Sequence, residues 1–198
     1  MQTSLYEKIA SALTKQGYIV IDKALEPSLC EALFQDSLMQ ENNFKKAGIS
    51  NQKALDTTQR RDAILWLENT NPIQNQFLSF SCELQDYLNR SLFLGLKYYE
   101  AHYAIYKEGD FYKKHFDSFK NSKNRVVTTV YYLNENWNED DGGELLVYDK
   151  NDTLLETVLP KANRLVVFLS EEFPHEVKPA KKQRHSIAGW FRIDKFIL

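Results

Sequence analysis

Apolar and polar residues alternate with one period before about residue 96 and with another after it. In the first part apolar residues recur every three or four positions, which marks amphipathic helices. Leu5, Ile9 and Leu13 follow Ser4-x-x-Glu7, a capping-box pattern, and Gly17 ends the run. Tyr18 to Ile21 reads as a short strand. Pro27 opens a second predicted helix with Leu29, Leu33, Phe34 and Leu38 on one side. Asn71-Pro72 opens a third, with Ile73, Phe77, Phe80, Leu84 and Leu88 on a single stripe. These stripes are core-facing surfaces. From Lys97 the period is two, and strands are predicted over 97–106, 111–117, 125–134, 143–149, 153–158, 164–169, 175–178 and 185–194. Glu108-Gly109-Asp110, Asp141-Gly142-Gly143 and Asn151-Asp152 supply turns between them. Many short, evenly spaced strands indicate a barrel or jelly roll. The stretch 42–60 has no clear period and reads as a loop, a candidate lid.

Composition narrows the function classes. The chain has 198 residues, 43% hydrophobic and 26% charged, which excludes disordered, collagen-like and coiled-coil classes. A formal net charge of -2 gives no global footprint for nucleic acid or an anionic membrane, so a nucleic-acid partner is not expected. The lysine pairs 45–46, 113–114 and 181–182 read as solvated faces. Cys30 and Cys82 form no CxxC pattern and no disulfide framework, as in a reducing compartment. The N-terminal residues lack the basic and apolar regions of a signal peptide, and no apolar run approaches the ~20 residues of a membrane span. A cytoplasmic protein with no membrane association is expected, and a monomer is favoured.

The chemistry lies in the second half. His115-Phe116-Asp117 is an HxD, which on an extended strand puts an imidazole and a carboxylate on one face. His175 follows the predicted strand 164–169. Two histidines and one carboxylate suit a facial iron(II) site with open positions, whereas closed zinc sites prefer cysteine and four ligands. In the last strand, parity puts Arg184, Ser186, Ala188 and Trp190 on one face and His185, Ile187, Phe191 and Ile193 on the other. The second face is bulky and suited to packing on helices. The first begins with a cation beside small residues, leaving room for a ligand carboxylate, which a guanidinium holds bidentately. The alternative is that Arg184 pairs with a buried Asp or Glu.

An HxD, a distal His and an Arg nine residues later resemble the 2-oxoglutarate- and Fe(II)-dependent dioxygenases. The likeness is narrower still to the prolyl 4-hydroxylase branch that includes the HIF prolyl hydroxylases and their bacterial relatives. It extends over roughly 40–194 through RRDAILWL (60–67), YKEGDFYKKHFDSF (106–119), RVVTTVYYLNENW (125–137), GGELLVY (142–148) and PHEV (174–177). The resemblance implies one domain, 1–198, that is mainly β with flanking helices. Its core is a double-stranded β-helix (jelly roll) over about 96–198, and the N-terminal helices of about 1–95 pack on one sheet. It implies that His115, Asp117 and His175 hold Fe(II). Arg184 and Tyr132 would bind the distal carboxylate of 2-oxoglutarate, and Tyr106 would line that pocket. Arg125 matches a residue near the substrate, and Trp190 is assigned the same role. O2 is the other co-substrate, ascorbate a supporting reductant, and the expected partner is a prolyl residue of a protein or peptide. Loop 42–60 corresponds to the family's mobile segment over the peptide.

The sequence departs from the animal enzymes at Ala188, which replaces a hydroxyl-bearing residue, and in a one-residue-shorter link from Tyr106 to His115. The segment SFKNSKN (118–124) also differs. These departures bear on the substrate rather than the chemistry. Three other readings stay open: a small-molecule hydroxylase, a non-catalytic sensor of iron or 2-oxoglutarate, and a cupin-like metal hydrolase or isomerase.

Overall fold

The computed structural model describes residues 2–48, 56–118 and 124–194. Helix α1 (Gln2–Lys15) leads into strand β1 (Tyr18–Asp22). Helix α2 (Pro27–Met39), strand β2 (Lys45–Lys46), strand β3 (Ala63–Trp66) and helix α3 (Pro72–Leu92) complete the first part. Eight strands follow. They are β4 (Tyr98–Tyr106), β5 (Tyr112–His115), β6 (Arg125–Tyr132), β7 (Leu145–Tyr148), β8 (Leu154–Val158), β9 (Arg164–Leu169), β10 (His175–Val177) and β11 (Arg184–Arg192). They form two antiparallel sheets, ordered β1-β9-β6-β11-β4-β3-β2 and β5-β10-β7-β8. This is the expected jelly roll, with extra strands extending both edges of the larger sheet. Among the described residues, no helix is long and apolar enough to cross a membrane.

Strand parity divides the larger sheet between two cores. Tyr103, Val127, Tyr131, Leu165, Val167, Ile187 and Phe191 face the helices, where Ile9, Leu13, Leu33, Phe77, Phe80, Leu84 and Leu88 meet them. Ala104, Tyr106, Val130, Tyr132, Val166 and Phe168 face the smaller sheet's Leu145, Val147, Val158 and Val177. Burial of such side chains, ~1.5–3 kcal/mol each, drives the assembly.

Local signals account for most element ends. Asn71 caps α3 by accepting from the N–H groups of Ile73 and Gln74 at 2.9 and 3.2 Å, with Pro72 preset in the first turn. Gly17 ends α1 at φ +82°, a conformation that glycine takes without strain. Four expectations need correction. Helix α1 begins at Gln2, so Ser4 lies inside it and is not a cap. On α2, Leu38 is exposed while Asp36 and Ser37 are buried. Asp36 accepts hydrogen bonds from Gln40, Asn71, Gln74 and Tyr103, which satisfies its carboxylate and ties α2 to α3 and β4. Strands β2 and β3 were not foreseen, because two and four residues are too few to show a period. The predicted loop 42–60 therefore contains β2 and one residue pair of a 3-10 turn, while 49–55 lies outside the described residues. Residues 119–123 of the divergent segment also lie outside them.

Gly189 sits mid-strand in β11, where an added Cβ would overlap the Tyr99 hydroxyl and ring. That hydroxyl is fixed at 2.8 Å from Thr129 Oγ1. Overpacking of this kind costs ~1–3 kcal/mol and outweighs the ~0.4–1 kcal/mol that Gly→Ala gains through the unfolded chain. Gly189→Ala is expected to lower the urea midpoint; an unchanged or raised midpoint would show that Tyr99 moves aside freely.

Candidate metal centre and co-substrate pocket

His115 at the end of β5 pairs in register with His175 at the start of β10. The chain bends after His115, so the predicted strand 111–117 ends two residues early, yet Asp117 still reaches both rings. Its Oδ1 is 3.6 Å from His115 Nε2, and its Oδ2 is 3.4 Å from His175 Nε2. One ligand atom from each of the three lies within 4.8 Å of the others. His115 Nδ1 donates to the Lys113 carbonyl at 2.7 Å, and His175 Nδ1 donates to the Phe173 carbonyl at 3.1 Å. In the neutral rings both Nε2 atoms therefore carry the lone pair a metal needs. Thr128 Oγ1 donates to Asp117 Oδ2 at 2.9 Å and lies 2.8 Å from Ser170 Oγ.

Electrostatics keep this set ready for a cation. Burial pushes the Asp117 carboxyl up, but His175, His115 and Arg125 outweigh it and hold it well below the usual carboxylate range. Burial lowers His175 to about 4 against the opposing pull of Asp117, so the ring is neutral at physiological pH.

The registers lay out the face of the larger sheet that looks toward this set. Arg184 stands opposite Tyr106, Ser186 opposite Tyr132 and Ala104, Ala188 opposite His102 and Val130, and Trp190 opposite Glu100 and Thr128. Arg184 is 1% exposed and donates to the Gly143 carbonyl at 3.0 Å and to Ser186 Oγ at 3.2 Å. Its guanidinium carbon lies 4.9 and 5.0 Å from the Tyr106 and Tyr132 ring centres. Among the described residues it meets no carboxylate, so the alternative of a buried ion pair is not what the fold contains. The Tyr132 hydroxyl is buried with no hydrogen-bond partner among the described residues. A buried cation without a counter-charge beside an unpaired hydroxyl is costly, and an anionic ligand group removes both costs. Farther along, the Arg125 guanidinium stacks 3.7 Å over the Trp190 ring and is held by Glu100 at 2.8 Å. Arg192 holds the same Glu100 oxygen at 2.9 Å. The structure thus groups Arg184, Tyr132 and Tyr106 at one end and Arg125 and Trp190 at the other.

The chain is similar to known proteins along most of its length. Residues 101–192 match the family described as the 2OG-Fe(II) oxygenase superfamily. A solved Pseudomonas putida prolyl-4-hydroxylase is 34% identical, with 96% of this chain and 100% of that one covered and a TM-score of 0.87. The chain belongs to the 2OG-Fe(II) oxygenase superfamily. A Trichoplax adhaerens prolyl hydroxylase, solved with a hypoxia-inducible factor oxygen degradation domain peptide, is 26% identical. The match covers 96% of this chain and 90% of that one, with a TM-score of 0.85. Human Egl nine homolog 1 is 26% identical over 93% of this chain, which spans 46% of the human protein's length.

Superfamily membership implies Fe(II), 2-oxoglutarate and O2, and the donor set fits them. Two imidazoles and one carboxylate are a facial iron set, and Arg184, which meets no carboxylate among the described residues, and the Tyr132 hydroxyl suit a dicarboxylate. Several neighbours were not foreseen. Thr128 lies two and four residues before Val130 and Tyr132, so parity alone would have turned it inward. Tyr112 stacks on His115 at 3.6 Å and 14°, and Arg60, ion-paired with Asp62, lies 4.3 Å over the other side of Tyr112. No local pattern signals that stack, because it joins segments fifty residues apart.

Burial also lowers His102 and His185 to about 4. With His175, three rings stay uncharged in the fold but take up protons when unfolded below about pH 6.5. Folded values below unfolded ones mean that stability is lost as pH falls from ~6.5 towards ~4. The slope reaches at most three protons, ~4 kcal/mol per pH unit. Urea midpoints of the metal-free protein between pH 7 and 4.5 should fall accordingly; a flat profile to pH 5 would show that these rings are already charged in the fold.

Proposed function

We propose that this protein hydroxylates a prolyl residue of a protein or peptide, coupled to conversion of 2-oxoglutarate and O2 into succinate and CO2. The observation that carries the reading is Arg184, a buried guanidinium with no carboxylate partner among the described residues, on the interior wall shared with Thr128, which holds Asp117. Such a cavity suits a dicarboxylate that spans from a metal to a cation.

In this reading His115, Asp117 and His175 hold Fe(II), which when bound supplies the site for 2-oxoglutarate oxidation by O2 and the attack on the substrate C–H bond. Arg184 and Tyr132 bind the distal carboxylate, and Tyr106 walls the pocket beside them. Thr128 fixes the rotamer of Asp117. Arg125 and Trp190 take the substrate, with Glu100 setting the guanidinium orientation. The likeness to a hydroxylase solved with its peptide supports a polypeptide substrate, as does the half-exposed Trp66 beside this end. We read 1–198 as one domain. Two free cysteines fit the reducing cytoplasm.

Anaerobic addition of Fe(II) and then 2-oxoglutarate is expected to give a visible charge-transfer band. Arg184→Ala should raise the 2-oxoglutarate requirement at least tenfold while changing iron affinity far less, since a charged hydrogen bond is worth ~1.5–3 kcal/mol. Equal effects on both would remove Arg184 from the co-substrate site. Asp117→Ala should abolish turnover, read as succinate release. Turnover retained with iron bound would break the triad assignment, and bound iron without any band would favour the hydrolase alternative.

A further inference from the structure

His102 is the one histidine on the cavity wall that the proposed metal site does not use. It lies on the inner face of β4, opposite Trp66 on one side and Ala188 on the other. Trp66 and Trp190 flank it, with ring centres 5.1 and 5.4 Å away. Its Nδ1 lies 3.1 Å from the Tyr103 carbonyl, which only accepts, so Nδ1 carries the proton. Burial keeps the ring neutral, with Arg60 and Arg125 acting in the same sense and Asp62 opposing them. Nε2 is then a bare acceptor, and no residue among those described donates to it. The Nε1–H of Trp190, the neighbouring ring, is buried and has no partner among the described residues. A neutral ring acceptor and a buried indole donor thus belong to neighbouring side chains on this wall, their ring centres 5.4 Å apart. The buried indole N–H is a cost that no described residue offsets.

We propose that His102 is a substrate-contacting specificity residue whose Nε2 accepts a main-chain N–H of the peptide while Trp190 Nε1 donates to the same residue's carbonyl. The N–H and C=O of one extended residue point to the same side, so a single residue can meet both. Proline has no N–H, so the residue read is a neighbour of the target proline, held extended. This inference rests on the peptide reading above and adds a requirement to it: a free N–H at one fixed place beside the proline.

The test starts from a pool of short proline-centred peptide amides incubated with Fe(II), 2-oxoglutarate and O2. Peptides that gain one oxygen are identified by mass. One of them is then N-methylated at each flanking residue in turn. For the unmodified protein, methylation at one position should raise KM about tenfold, the value of one hydrogen bond. His102→Leu should raise KM for the parent peptide by about the same factor and be insensitive to methylation at that position. His102→Gln, which keeps an acceptor, should recover part of the loss. In the metal-free protein, the 15N resonance of His102 Nε2 should move upfield as the peptide is added. Losses that simply add at every position, or an unmoved Nε2 resonance, would overturn the inference while leaving prolyl hydroxylation intact. If His102→Leu fails to fold, the glutamine variant and the resonance decide it. A pool with no oxidised peptide, despite a charge-transfer band, would overturn the peptide reading and this inference with it.

Discussion

A β-strand sends alternate side chains to opposite faces, and β11 uses both faces fully. It lies between β4 and β6 in the larger sheet, so neither edge is free. Ile187 and Phe191 anchor the helical layer, while Arg184, Ser186, Ala188 and Trp190 line the cavity. A one-residue slip would put a guanidinium into the apolar core and an isoleucine into the pocket. The packing that stabilises the helices therefore also holds the cavity residues in register. The ladder to β4 and β6 brings Tyr106, His102, Tyr132 and Thr128 into line with them.

The interior is polar in a selective way. Charges that serve the architecture are satisfied: Asp36 by four donors, and Glu100 by two arginines. Among the described residues, the buried side-chain groups left without partners, the Tyr132 hydroxyl and the Trp190 indole N–H, both lie on the inward face, and Arg184 there meets only neutral groups. Buried polar groups are normally paired, so a concentration of unpaired ones on one wall marks where ligand atoms complete the structure.

Much of this was legible in the residues. The change from helical to alternating period locates the sheets, and parity in 184–190 separates the inward face from the core face. HxD and His175 were visible because a facial metal set needs few residues of distinctive types. Less visible were features built across distance. The Asp36 hub joins α2, α3 and β4, and nothing around Asp36 distinguishes it from a solvated acid. No local pattern sets His102 apart, since its surroundings are the Tyr103 carbonyl and two indoles from other strands. The Ser4 cap failed because a local motif does not stop a helix that can extend one turn farther back.

The stack of Arg60, Tyr112 and His115 links the sheet edge to the metal centre mechanically. Backbone pairing reinforces it: Lys113 N–H donates to the Gln59 carbonyl and Arg61 N–H to the Phe111 carbonyl. Any displacement of 59–61 therefore pulls on the ring that braces a candidate iron ligand. For protein engineering, this edge is not an interchangeable cassette. Grafting a relative's segment here to change substrate choice would also shift the His115 ring, unless Arg60, Asp62 and Tyr112 are transplanted as one unit.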